Sequence, residues 1–320
     1  MRITTANASA NAIAVLQQRQ QQLAGLQDQI TSGKRITRPS DDPGGAARAE
    51  RALAAMQRNE ANQRALDVSR NAVQLGEQAL GDAGEMLQQA RELVMRAGAG
   101  SFSAADRRQL AESVRGLRGD LLAVANRDDG AGRFLFGGQG SDVTPLLDMP
   151  AVGAPGDPGY LPPRVAFQGS PGLLQGDAGE PTLLALDGQR TWLDVPDPAN
   201  PGQTASVFDL LDRIVTQLND DTLDSTQRAD AISAGLAGID SAVDHLAGWR
   251  SRTGVALNRI DGISQRLSQA GLDAEAARAE AQDTDLVQAI SSFKTVQTSY
   301  DAALQTYASV QKMSLFDYLR

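Results

Sequence analysis

The chain is 320 residues long, with a formal charge of -9 at pH 7, no cysteine, one histidine and only 4% aromatic residues. That balance offers no concentrated basic face for a nucleic-acid backbone, no disulfide or thiolate metal site, and little of the bulk that a thick globular core needs. No apolar run approaches the roughly 18 residues of a membrane-spanning helix, and the Thr/Ala/Asn-rich first eleven residues lack the apolar stretch of a cleavable secretory signal.

Residues 12–32 read as a helix with a thin stripe of Ile13, Leu16, Leu23, Leu26 and Ile30 in a glutamine-rich surface. Fully burying one such side chain is worth about 1.5–3 kcal/mol, against roughly 1–2 kcal/mol per residue for ordering the backbone. Alone in water the segment is expected to be disordered. Gly33 is placed to end the helix, beside Lys34 and Arg35.

Ser40, Asp41, Asp42 and Pro43 form the next start signal, with Asp42 as N-cap and Pro43 as first helical residue. The capping role accounts for the adjacent carboxylates better than acid–base or metal chemistry does, since no histidine or further acid cluster lies nearby. A long helix is predicted from there to Ala97. Leu66, Val73, Leu80, Leu87 and Val94 recur every seven residues, and the companions Gly76, Ala83, Ala90 and Ala97 are small enough to admit a close partner.

Gly98, Ala99 and Gly100 break this helix, and Ser103 with Asp106 forms a capping box. Leu110, Val114, Leu117, Leu121 and Val124 carry a third helix that stops before Asp128. Its Arg107, Arg108, Arg115 and Arg118 read as a solvated face rather than a binding patch. Phe134–Phe136 is strand-like, and eleven of the thirteen prolines fall between Pro145 and Pro201. Such turn chemistry, with apolar pieces at 164–167, 182–186 and 191–195, predicts a small β-rich insertion with long loops. Its glycines match no phosphate-binding fingerprint.

Ser206 and Asp209 start a helix carrying Val207, Leu211, Ile214 and Leu218. Residues 225–272 are then the longest periodic run. In steps of four and three from Ile232 it reads Ile232, Leu236, Ile239, Val243, Leu246, Arg250, Thr253, Leu257, Ile260, Ser264 and Leu267. A helix of that length is roughly 70 Å long, and 43–97 supplies its partner. An exposed Ala/Glu/Arg connector follows at 273–282, and the chain resumes a stripe of Leu286, Ile290, Phe293, Tyr300, Leu304 and Tyr307.

The predicted fold is mainly α: an elongated antiparallel helical bundle or coiled coil formed by both chain ends, with a small β-rich domain inserted at the distal tip. The expected division is 1–42 with 273–320 as a terminal coiled-coil domain, 43–132 with 206–272 as a long-helix rod domain, and 133–205 as an outer domain. The narrow stripes at the ends have few partners within one chain. Leu16, Leu23, Leu26, Ile30, Leu286, Ile290, Phe293, Tyr300, Leu304 and Tyr307 are therefore the candidate assembly residues, folding fully on assembly. An enzyme finds little support: His245 sits beside the seam as a solvated flank, and no nucleophile elbow accompanies it. No catalytic residue, metal ligand or cofactor is predicted.

Several segments resemble the bacterial flagellin family. MRIT at the start, GKRI at 33–36, SDDP at 40–43 and RELV at 91–94 resemble its N-terminal helical region; RSRTGVALNR at 250–259 and the 283–319 tail resemble its C-terminal region. GRFLFGG at 132–138, VAFQGS at 165–170 and SLFDYL at 314–319 are similar to the members that join hook to filament rather than to the filament subunits. The resemblance implies a structural axial protein, exported unfolded through the type III pathway without a cleavable signal. It implies as partners copies of itself in a ring, the first hook-associated protein on the hook side, filament flagellin, and a cytoplasmic chaperone on the C-terminal helix. It implies no nucleic acid and no membrane insertion. Filament flagellin is the alternative reading, and an enzyme or metal-binding protein the third.

Overall fold

The computed structural model describes residues 2–98, 102–140, 142–153, 157 and 159–318; the side chains of 2–6, 8, 9 and 311–318 lie outside the description. Of the expected features, Ala99 and Gly100 of the helix break, Met1 of the first motif and Leu319 of the last also lie outside it. Six α-helices are described: α1 (Arg2–Ser32), α2 (Pro43–Ala97), α3 (Ala104–Ala125), α4 (Val207–Asn219), α5 (Ser225–Gln282) and α6 (Leu286–Tyr318). Between α3 and α4 lie six short strands: β1 (Leu146–Met149), β2 (Arg164–Phe167), β3 (Leu174–Asp177), β4 (Pro181–Ala185), β5 (Val195–Pro196) and β6 (Thr204–Ala205). Contacts divide the chain into two bodies, Met1–Asn59 with Ser268–Arg320, and Glu60–Leu267.

Within Glu60–Leu267, α2 and α5 run antiparallel. Arg91 meets Asp240 at 2.7 Å, Glu77 meets Arg250 at 2.6 Å, and Arg70 meets Asp261 at 2.7 Å. Leu66, Val73, Leu80, Leu87 and Val94 are all buried, as are Ala83, Ala90 and Ala97, so the predicted α2 seam is the observed one. Gly76 faces the insertion, where a Cβ would lie 3.3 Å from Leu186 Cδ1.

The α5 seam keeps most of the predicted line: Ile239, Leu246, Thr253 and Ile260 are buried, and Ile232, Leu236, Val243, Leu257 and Leu267 pack half-buried against the cores. Beside them Ala242, Trp249 and Ile263 are also buried, whereas the predicted Ser264 is half-buried, its hydroxyl accepting the Gln63 side chain of α2 at 3.3 Å. The seven-residue period holds, and the covered band is wider than the single predicted line. Burying Trp249 removes far more apolar area than Val243 would, and an unpaired guanidinium at 250 cannot be desolvated. Arg250 stays exposed and reaches Glu77.

Both predicted capping boxes form. The Ser103 and Ser206 hydroxyls accept the amides of Asp106 and Asp209, whose carboxylates accept the cap amides in return. The solvated-face reading of the α3 arginines holds for Arg108 and Arg115, which are more than half exposed, and fails for Arg107 and Arg118. Arg118 is buried, donating to Asp148 at 2.6 Å and to Asp212 at 3.1 Å, with its guanidinium 5.6 Å from the Phe208 ring. Arg107 and Arg108 both pair with Asp221.

The insertion makes three separate antiparallel pairs, β1–β2, β3–β4 and β5–β6, rather than one sheet. Phe134–Phe136 is not a strand. Leu135 and Phe136 are consecutive and both buried, which an alternating one-faced strand would not allow. Residues 189–193 coil into a π-helical turn where an extended piece was expected. Asp187 organises it: its carboxylate accepts the amides of Gly172 at 2.8 Å and Arg190 at 3.2 Å, and its carbonyl accepts the Thr191 hydroxyl at 2.7 Å. The turn seats Trp192 between Phe136, at a centroid distance of 5.1 Å, and Phe208, at 6.3 Å.

Candidate assembly surface

The surface belongs to the body Met1–Asn59 with Ser268–Arg320 and is positioned by the loop 33–42. Gly33 ends α1 with φ +69°, a conformation that costs a residue with a Cβ. Its carbonyl accepts the Thr284 amide at 2.9 Å, and the Arg35 amide donates to Gln282 at 2.8 Å. The Arg35 guanidinium joins two helix ends at once, with both terminal nitrogens 3.2 Å from Asp42 Oδ2 and one 2.9 Å from the Ala281 carbonyl. Ile36 is buried beneath the loop. It leaves no room at Gly45, where a Cβ would lie 2.4 Å from Ile36 Cδ1.

The two aspartates are fully used as acceptors. Asp41 Oδ2 takes the amides of Arg38 at 2.8 Å and Thr37 at 3.2 Å, and the Thr37 hydroxyl at 3.1 Å. Asp42 Oδ1 caps α2 through the Gly45 amide at 2.9 Å. The Arg38 amide above all holds the Asp41 carboxyl below its ordinary range, and the Gly45 amide followed by Arg35 does the same for Asp42. A general acid needs the opposite shift. The motif Ser40–Pro43 is therefore a hinge pin, with Pro43 as first residue of α2.

From this pin α1 and α6 run antiparallel, side by side. Leu16, Leu23, Leu26 and Ile30 face α6 but are only half-buried, and no described residue of α1 reaches full burial. On α6, Phe293, Tyr300 and Tyr307 are half-buried, while Leu286, Ile290 and Leu304 stand 48%, 45% and 40% exposed. Also covered on that helix are Ala289, which is buried, and Ser292, Val296, Ser299 and Ala303, which are half-buried, in steps of three and four. Four predicted α1 residues and three predicted aromatics of α6 are thus partly covered. Leu286, Ile290 and Leu304 stay outside, joined by Ile13, Val15, Val287 and Val310. The line from Ala289 to Ala303 is a second heptad frame in the sequence, weak in hydropathy because four of its five members are Ala or Ser.

Elsewhere the chemistry is structural. An open cleft of about 1100 Å³ is lined by Arg118, Asp148, Tyr160 and Asp212, but Arg118 already holds both carboxylates. Burial raises Asp212 above the usual carboxylate range in spite of Arg118. His245 is not the solvated flank expected: it is half-buried, with Nε2 2.9 Å from the Arg190 carbonyl and 3.2 Å from Trp249 Nε1. No group of three His, Asp or Glu among the described residues is arranged to hold a metal.

Comparison with known proteins agrees with this architecture. Residues 3–141 match the bacterial flagellin N-terminal helical region, and residues 236–319 the bacterial flagellin C-terminal helical region. The chain is 26% identical over 324 residues to flagellar hook-associated protein 3 of Salmonella typhimurium, covering all of both chains. It is 23% identical over 299 residues to the flagellin of Bacillus subtilis, covering 92% of this chain and 91% of that one. A putative flagellar hook-associated protein from Vibrio parahaemolyticus superposes with a TM-score of 0.63 at 18% identity, over 76% of this chain and all of the other.

Proposed function

The chain belongs to the bacterial flagellin family, and on that premise we propose that it is a structural subunit of the flagellum, seated at the junction of hook and filament. The observation that carries the reading is the α1–α6 pair. Two helices of 31 and 33 residues lie together, yet their large aliphatic side chains remain half-covered or exposed. A surface of that kind is completed by further helices of the same kind. Copies of the chain would form a ring, with α1 and α6 making contacts between copies.

On this reading the hook-side neighbour is the first hook-associated protein, and the filament-side neighbour is flagellin. A cytoplasmic chaperone would cover α6 until export. The full-length likeness to a hook-associated protein favours the junction over the filament, whose subunit is the alternative. Deleting the gene should leave intact hooks that shed filament protein into the medium, and labelled protein should form a single band at the distal end of the hook. Label along the whole filament would replace the junction reading with the filament one.

A further inference from the structure

We infer that His245 is a proton-operated switch between the helical rod and the insertion. Charged, its ring holds the π-helical turn 189–193 to α5; neutral, it lets the turn go and holds Trp249 instead. His245 is the one histidine of the chain and lies half-buried on α5. Its Nε2 is 2.9 Å from the Arg190 carbonyl oxygen and 3.2 Å from Trp249 Nε1. A carbonyl oxygen can only accept a hydrogen bond, and an indole N–H can only donate one. One ring nitrogen therefore cannot serve both neighbours. With a proton on Nε2, the ring donates to Arg190 and strands the Trp249 N–H. With a lone pair there, it accepts from Trp249 and turns that lone pair on the carbonyl oxygen.

The charge on the ring decides between the two arrangements. Imidazolium carries hydrogen on both nitrogens, so protonation commits Nε2 to the Arg190 carbonyl. In the neutral ring the single proton can sit on either nitrogen, and burial selects the site. Trp249 is 6% exposed and its N–H has no second acceptor among the described residues. Arg190 is exposed, and its carbonyl can turn to water. An unmet donor costs more at the buried position, so the neutral ring keeps its proton on Nδ1 and accepts from Trp249.

The bond to Arg190 matters because few side chains of α5 hold this segment. The other such bond runs from the Ser241 hydroxyl to the Pro196 carbonyl at 2.7 Å. A charge-assisted bond from the imidazolium is the stronger kind, so proton uptake fastens the turn, and with it the seat of Trp192, to the rod. Several charged groups surround this corner. The turn contributes Asp194 and Arg190, whose guanidinium leans toward Asp187 at 3.7 Å. On α5 are Asp244 and Arg252, which stacks on the Trp249 ring at 4.6 Å; on α2, Glu77 is held by Arg250. None of them forms an ion pair with the imidazole, so the two hydrogen-bonding neighbours govern its proton.

One histidine and two tryptophans make the test direct. Full-length protein labelled with nitrogen-15 at His and Trp is followed by NMR from about pH 8 to pH 5, the range over which histidine changes charge, with Trp249→Phe used to assign the indoles. At pH 8 the imidazole should show the Nδ1–H tautomer. As it takes up its proton, the Trp249 indole N–H should shift in step and exchange with water about tenfold faster. The protection factor of the Thr191 amide, which bonds to Asp187 within the turn, should rise by about as much. In His245→Gln, which takes up no proton in this range, both signals should stay flat. An Nε2–H tautomer at pH 8, a Trp249 indole unmoved while the imidazole titrates, or an unchanged Thr191 protection factor would each overturn the switch. So would changes of the same size in His245→Gln.

Discussion

Gly45→Ala probes the pin that sets the terminal helices. Residue 45 lies in the first turn of α2, where alanine is ordinarily favoured over glycine by about 1 kcal/mol. Here the new Cβ would lie 2.4 Å from Ile36 Cδ1 and 2.5 Å from Asp42 Oδ2, both of which must move. Ile36 is 4% exposed, and driving it into solvent costs about 1.5–3 kcal/mol. Swinging Asp42 away removes an N-cap worth about 1 kcal/mol and frees Arg35. The sum, less the helical gain, is a net loss of about 1.5–3 kcal/mol. It should appear as faster hydrogen exchange at the Arg35 and Thr284 amides, which bond across the pin, with the Leu66–Val94 seam unaffected. Ile36→Ala removes the clashing methyl, so the double variant should be less unstable than the two single losses added. Gly45→Ala equal to or more stable than the parent, or strictly additive with Ile36→Ala, would refute the packing argument.

Arg118→Ala should cost about 1–2 kcal/mol in urea unfolding, chiefly the packing of its side chain against Phe208, because Asp148 and Asp212 stay 52% and 40% exposed and take up water once it is gone; a loss below about 0.3 kcal/mol would mean the cluster is surface decoration. Asp41 and Asp42 have lowered folded-state values, so their stabilisation is present above 3.8 and lost as pH falls through those values. The deficit of Asp41→Asn with Asp42→Asn at pH 6 should therefore shrink and vanish in acid melts below that point, and a pH-independent deficit would sink the assignment. In purified monomer, α1 and α6 amides should exchange far faster than those of α2 between Leu66 and Val94. Strong protection there would contradict the account of the terminal pair. Ile290→Ser with Leu304→Ser should impair assembly while leaving the monomer's melting unchanged, and a destabilised monomer would place these side chains in its own core.

The helical parts were readable where one residue type repeated in one frame. Leu66 to Val94 names its own buried face, since the companions at 76, 83, 90 and 97 are too small to be anything else. In α5 the same rule marks one line of a wider band, because a seven-residue period from one anchor does not say how far to either side the helix is covered. Trp249 widens it by contact with the rest of the body. On α6 the covered line through Ala289, Ser292 and Ala303 gives a weak hydropathy signal, although small residues are what allow two helices to lie close.

What the amino-acid order determined by itself was local: the capping boxes at Ser103 and Ser206, the pin at Asp42 and Pro43, the stop at Gly33 and the seven-residue period of the long helices. Each rests on interactions within a few residues, whose geometry the backbone already supplies. Tertiary structure decided what depends on distant partners. It buried Arg118 between Asp148 and Asp212, folded residues 189–193 around Trp192, and chose which half of each stripe meets a helix and which stays bare. Desolvation is set by what arrives from elsewhere in the chain, and no local pattern of residues records that.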